Sequence, residues 1–275
     1  MSDTSAMRDH YDQAGLEASL LRALTAAGKD IDNLKPGDLQ GADEFHNGGA
    51  AATAAVAEQL GLTPEMHLLD VGSGLGGPAR HIAARYGCRV TGIDLTPGYV
   101  AAANSLTARM GMQARLDFRV ALADRLDFAD GSFDGVLLLH VGMNVADKPG
   151  MFAAMHRVLK PGGFVAVYDV MRLAEGDLVF PLPWSSVAET SFVAAPEVYR
   201  AALTAAGFAI TAERDRGEFA LAAMAAQRAK AAAEGPSPLG LQHAMGPTVA
   251  AKVGNMVKLI QGGVIAPYEM IARRA

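Results

Sequence analysis

The chain has 275 residues, of which 51% are hydrophobic and 19% charged, with a formal net charge of −5. This is enough apolar material for one large α/β domain with covering segments, and the length sits nearer one domain than two. The acid excess, with no basic run beyond Arg273-Arg274, argues against nucleic acid or an anionic membrane surface as a partner, and no apolar stretch approaches the ~20 residues of a membrane span. Met1 to Tyr11 is polar and lacks the apolar stretch of a leader, so the expected location is cytoplasmic. Cys88 is the single cysteine, which excludes an intramolecular disulfide and a cysteine-based zinc site. It reads as a small buried hydrophobe beside the second strand.

Taken in order, Leu16, Leu20, Leu21 and Leu24 stand at helical spacing and predict a helix over 16–27, stopped by Gly28. Lys35-Pro-Gly-Asp and Gly41-Ala-Asp-Glu-Phe-His-Asn-Gly-Gly then make a glycine-punctuated connection to a second helix over 50–60. Residues 1–50 are expected to form an N-terminal helical lid, with a plain helical decoration as the alternative. From there strands and helices alternate. Strands are expected at 66–71, 89–94, 116–122, 133–139 and 164–169, with helices at 79–85, 97–110 and 148–159. The near-continuous apolar run at 133–139 suits a parallel sheet covered on both faces. Short turns between alternating elements predict a doubly wound, mostly parallel sheet.

Past Asp169 the rhythm breaks, with an irregular stretch over 171–195 centred on Pro181-Leu-Pro-Trp184. A helix over 196–206 and a sixth strand over 208–213 follow. Roughly fifty residues, with helices near 218–233 and 247–261, separate that strand from a seventh over 265–272. An insertion this long is expected to be functional, and reads as a cap over 216–262 or as a dimerisation arm that would make the protein a homodimer. The resulting division is lid 1–50, core 51–170 and a substrate-side half 171–275.

The chain is organised around Leu68 to Arg80, where an apolar run ends in glycines and reopens as a helix. Gly72, Gly74 and Gly77 satisfy the dinucleotide spacing, with Asp94 about 20 residues on. Gly72, Gly74 and Gly76 instead follow Asp70, a carboxylate better suited to a cation, such as a sulfonium with its amino group, than to a pyrophosphate. The second register is favoured. In either, the glycines are expected to open the backbone to a ligand and the helix N-terminus to offer free N–H groups. Because ligands sit at the carboxyl ends of such strands, the candidates are Asp70, Gly72, Ser73, Gly74 and Gly76, then Asp94 and Leu95, Leu122 to Asp124, His140 to Asn144, and Asp169 to Arg172. Asp94 would accept from two ribose hydroxyls with Leu95 on the adenine, or would simply hold a helix start.

Leu68 to Arg80, together with Ile93-Asp94-Leu95, Gly131-Ser-Phe-Asp134 and Arg157-Val-Leu-Lys-Pro-Gly-Gly163, resembles the class I S-adenosylmethionine-dependent methyltransferases. Within them, Asp43-Glu-Phe-His46, His140-Val-Gly-Met-Asn144 with Asp147-Lys148, Pro181-Leu-Pro-Trp184 and the late insertion resemble the sarcosine/dimethylglycine N-methyltransferase-like group. The quinone-biosynthesis C-methyltransferases share much of the core. This resemblance implies a Rossmann-like, seven-stranded fold and S-adenosyl-L-methionine as cofactor. It places Asp70, Gly72 and Gly74 at the methionine part, Asp94 at the ribose and His140 beside the methyl group. Where many relatives carry an acid for the adenine amino group, this chain has Leu122-Ala123, so that contact falls to the Ala123 backbone or to Asp124.

His140 is the candidate catalytic base, or a histidine that only shapes the pocket. His46, Met143, Asn144 and Trp184 are the substrate candidates. The expected reaction is methylation of a small amine of the glycine, sarcosine or dimethylglycine kind, its carboxylate or another polar group anchored by a lid residue such as His46. The alternative is C- or O-methylation of a quinone precursor or other small aromatic, with Met143, Trp184 and Phe192 forming an apolar slot. Of other classes, a nicotinamide oxidoreductase stays open on the glycines alone, although this chain has no Tyr-x-x-x-Lys pair after strand four, and a non-catalytic nucleotide-binding module is the residual alternative. No metal-spaced cluster is evident.

Overall fold

A computed structural model of the chain describes residues 15–275 apart from Pro236 and Pro238. The polar stretch over 1–11 and the first 14 residues of the expected lid therefore lie outside the described residues. The element order is α1 (Leu16–Ala26), α2 (Gly49–Ala57), β1 (His67–Val71), α3 (Gly77–Tyr86), β2 (Arg89–Asp94), α4 (Pro97–Arg109), β3 (Leu116–Val120), β4 (Phe133–Leu139), α5 (Lys148–Val158) and β5 (Leu159–Arg172). There follow α6 (Pro196–Ala205), β6 (Phe208–Asp215), α7 (Gly217–Glu234), the four-residue α8 (Gln242–Met245), α9 (Val249–Gln261) and β7 (Ile265–Arg274). The seven strands form one sheet in the order β3-β2-β1-β4-β5-β7-β6. β1 to β5 pair in parallel, and β7 runs antiparallel to both β5 and β6.

This is a doubly wound sheet whose strand order reverses between β1 and β4. The crevice outside the carboxyl ends of those two strands is where such folds take ligands. One face of the sheet packs Val136, Leu138, Val165 and Val167 against Met151, Phe152 and Met155 of α5. The other packs Leu68, Val90, Leu137 and Ala166 against Ala52 and Val56 of α2 and Ile82 of α3. Both faces of the central strands are thus buried, which is why they read as unbroken apolar runs. Leu16, Leu20 and Leu24 form the buried stripe of α1, which lies against Tyr99 and Leu106 of α4 and Leu75 of the glycine turn. Cys88 is buried, its Sγ–H donating to the Thr63 carbonyl at 3.2 Å.

Two local readings change. Lys160-Pro-Gly-Gly does not end a helix ahead of a strand. It is an irregularity within β5, where Leu159 already pairs with Phe133 before the register shifts at Gly135. The stretch expected to be irregular from 171 begins two residues later, because Met171 and Arg172 still pair with Ala266 and Ile265 of β7.

Candidate active site

The residues that follow the strands surround one cavity of about 440 Å3 at the carboxyl edge of the sheet, within the ~300–1,000 Å3 usual for small-molecule sites. β1 delivers Asp70 to its floor. This carboxylate is 1% exposed, and its Oδ2 has no hydrogen-bond partner among the described residues. Burial, and after it the charge of Asp94, pushes its pKa up to about 7. A buried acceptor left in that state is stabilised by any cation or N–H donor that enters the cavity.

The turn after Asp70 is built on left-handed glycines. Gly72, Gly74 and Gly76 have φ of 73°, 52° and 81°, all in the left-handed region, whereas Gly77 is the first residue of α3. Its amides are used internally: Gly72 and Ser73 donate to the Ile93 carbonyl at 2.7 and 2.9 Å, Gly74 to Asp94 Oδ2 at 2.9 Å and Gly76 to the Ser73 carbonyl at 2.8 Å. A pyrophosphate would meet no free donor on these four groups and two acids beside them. The expectation that the missing Cβ atoms make room for a ligand also changes. A Cβ on Gly72 would fall on the Val141 side chain, and one on Gly74 would lie 2.9 Å from the Phe45 ring, so protein occupies both spaces. Gly76 stands behind the cavity wall against Phe118.

Asp94 fixes the glycine turn and the approach to α4. Its carboxylate lines the cavity, while Oδ2 holds Gly74 and Oδ1 accepts from the Thr96 N–H at 2.8 Å, just ahead of α4. Burial raises its pKa, and the backbone donors at Thr96 and Gly74 oppose the rise. Leu95, Leu122, Ala123 and Asp124 line the same side as Ile93 and Tyr99.

Sequence reasoning undervalued the Asp43-Glu-Phe-His-Asn segment, which crosses the carboxyl edge and is fixed at each residue. Asp43 makes a buried ion pair with Arg80 of α3 at 2.9 Å. Phe45 seats on Gly74 and Tyr99, and the Asn47 carbonyl accepts from the Tyr168 hydroxyl at 2.9 Å. His46 Nε2 lies 3.1 Å from the Gly49 carbonyl, which can only accept, so this nitrogen carries the proton. It also reaches Thr53 Oγ1 at 3.0 Å, and that hydroxyl donates to Glu44 at 2.8 Å. Burial pushes the His46 pKa down to about 4 and that of Glu44 up to about 8, leaving both neutral. His46 lines the cavity with its N–H already engaged by Gly49 and Thr53.

Beside His46, with ring centroids 5.9 Å apart, His140 is the single non-glycine residue with positive φ among the described residues, at 58°. Its amide donates to the Tyr168 carbonyl at 2.7 Å and its ring stacks on Tyr168 at 5.3 Å, so β5 holds a backbone that a non-glycine residue rarely adopts. Nε2 is buried without a partner among the described residues, and burial, then His46, holds the imidazole well below its usual range. The next turn, Gly142–Asn144, sits on Asp169, which accepts from the Tyr199 hydroxyl at 2.7 Å. Met143, Asn144 and Trp184 line this half, joined by Val141, Pro183, Glu189, Phe192 and, from α8, Met245. Trp184 is buried against Met143 and α9, its Nε1 donating to Ser191 Oγ at 2.9 Å.

Residues 69–167 match a family model described as a methyltransferase domain. The match runs from β1 into β5 and so covers the turns that deliver Asp70, Asp94 and His140 to the cavity. A sterol 24-C-methyltransferase of Gibberella zeae is 35% identical over 114 residues, 42% of this chain and 30% of that protein. The chain spans 25–57% of the length of curated relatives such as this one. The crystal structure of the [4+2]-cyclase SpnF is 25% identical, covers 95% of each chain and has a TM-score of 0.63. A phosphoethanolamine N-methyltransferase 2 of Haemonchus contortus in complex with S-adenosyl-L-methionine, 19% identical, shares the fold at a TM-score of 0.74 over 99% of this chain and 60% of that one.

Proposed function

We propose that the chain is an S-adenosylmethionine-dependent methyltransferase acting on a small molecule. One observation carries the reading: Asp70 Oδ2, buried and unpartnered at the end of β1 inside a methyltransferase domain, is suited to a cationic ligand and opposed to a phosphate. When bound, S-adenosylmethionine supplies a methyl group on a cationic sulfonium. Asp70 would answer its positive charge and Asp94 its ribose hydroxyls, while Leu95, Leu122 and Ala123 offer the adenine an apolar wall.

The chain's own contribution to methyl transfer is orientation and the exclusion of water. In this reading the 43–47 segment, Pro183-Trp184 and Met245 cover the cavity, which makes the lid and the late insertion the covers of the core. His140, neutral and with Nε2 unpartnered, takes the proton an acceptor nitrogen or hydroxyl releases. For an amine the acidic side chains around the cavity favour approach, and for a small aromatic Met143, Trp184 and Phe192 give the ring a slot.

Calorimetry with S-adenosylmethionine, S-adenosylhomocysteine and NAD tests the cofactor. Binding of the first two, followed by transfer of radiolabelled methyl to an amine or a phenol, is the expected result. Tight NAD binding with no response to the sulfonium overturns the reading. Cofactor binding without transfer to any acceptor moves the chain to the second reading, a cofactor-holding protein with other chemistry, which the full-length likeness to a cyclase supports.

A further inference from the structure

We infer that the acceptor is a mainly apolar small molecule that carries no carboxylate or phosphate, an inference that rests on the methyl-transfer reading and narrows it. The acceptor half of the cavity is walled mainly by Val141, Met143, Pro183, Trp184, Phe192 and Met245, with Asn144 and Glu189 as its polar members. Among the described residues no lysine or arginine lines the cavity, and every ionisable side chain that does, other than the two histidines and Tyr99, is an acid.

The buried cations nearby are already committed. Arg80 is held by Asp43 at 2.9 Å. Lys148, 3% exposed, donates to the Phe192 carbonyl at 2.7 Å and to the Val145 carbonyl at 3.1 Å. Lys252 donates to the Met245 carbonyl at 3.3 Å. Each cation thus stitches the cavity's covering segments together from behind.

Several backbone donors beside the cavity are committed as well. The amides of Gly72, Ser73, Gly74 and Gly76 are consumed, and the start of α5 is capped by Asp147, whose carboxylate accepts from the Gly150 N–H at 2.9 Å. His46 spends its one N–H on Gly49 and Thr53. An acceptor anion would lose its water, gain no opposite charge and face the acids around the cavity. An apolar body loses nothing on the same path and buries surface against Trp184 and Phe192.

Trp184 is the only tryptophan in the chain and lies in the cavity wall, so its fluorescence reports occupancy. The full chain, saturated with S-adenosylhomocysteine, would be titrated with three probes of similar size: 4-tert-butylphenol, 4-tert-butylbenzoate and 4-tert-butylphenyl phosphate. The phenol is expected to shift the Trp184 emission at roughly 100-fold lower concentration than either anion. Phe192→Arg, which adds a guanidinium to the wall, is expected to narrow that gap at least about tenfold. Equal or tighter binding of an anion to the unaltered chain overturns the inference, as does failure of all three probes to bind. Whether S-adenosylmethionine itself binds is read separately by calorimetry, so failure of the cofactor reading is told apart from failure of the acceptor inference.

Discussion

Replacing Asp70 by Asn keeps the shape of the side chain and removes its charge, which isolates the feature on which the cofactor reading stands. A hydrogen bond between charged groups is worth ~1.5–3 kcal/mol, so Asp70→Asn should weaken S-adenosylmethionine binding by about 10- to 150-fold. The pH dependence sharpens the test. With the pKa raised from 3.8 to about 7, Asp70 holds a proton below neutrality that a cation must expel, and affinity should fall by up to about tenfold per unit as pH drops below 7. Asp70→Asn should flatten this slope, while the raised acids Glu44 and Asp169 contribute alike to both proteins. For the ligand-free protein the sign is opposite. A carboxyl whose folded pKa lies above its unfolded value withdraws stability as pH rises from 3.8 to about 7, here as much as about 4 kcal/mol, so Asp70→Asn should raise the Tm near pH 7.5. Calorimetric titration from pH 5.5 to 8 and thermal melts of both proteins make the assay. Equal affinity in the two proteins, or the same slope with pH, would refute the assignment of the cation to Asp70.

Asp94→Ala should weaken cofactor binding and also cost about 1–3 kcal/mol of stability, because the amides of Gly74 and Thr96 both lose their acceptor; parallel melts and calorimetry check the pair of effects. His140→Ala should leave S-adenosylmethionine affinity unchanged and lower turnover by ~10²–10⁴-fold, measured as initial rates of labelled methyl transfer. His140→Gly should be equally slow yet melt higher than His140→Ala, since φ of 58° costs a glycine almost nothing. Gly142→Ala should destabilise by about 1–3 kcal/mol and slow turnover, because its methyl would fall on Asp169 Oδ2 and close to the Tyr199 hydroxyl; denaturant melts and rates check it.

β2 and β4 were legible because they are buried along most of their length: 89–94 and 133–139 are found at the boundaries the sequence predicts. β5 was not, because Pro161-Gly-Gly163 signals a stop locally while pairing to β4 and β7 carries the chain through it. α8 escaped notice as a single turn between a Pro/Gly-rich stretch and Gly246. Within the cavity, residues at strand ends were legible because the sheet dictates where they emerge. Asp43, Phe45 and Met245 were not, since they reach it from segments whose path is set by tertiary contacts such as Asp43 with Arg80. The surroundings of His46 were not legible either, because they depend on a buried chain of hydrogen bonds through Thr53 and Glu44 that no local spacing announces.

Val141 rests where a side chain on Gly72 would stand, so the loops leaving β1 and β4 touch at the point where the sheet's winding reverses. The two half-sites therefore share a mechanical joint. Whatever steadies the glycine turn also steadies the segment that carries His140, and a ligand on either side lowers the ordering cost borne by the other. Affinities on the two sides are then linked by one factor read identically in both directions. Order of addition, and not only fit, becomes a property of this contact: an acceptor measured without the nucleoside beside it will seem a weaker ligand than it is during turnover.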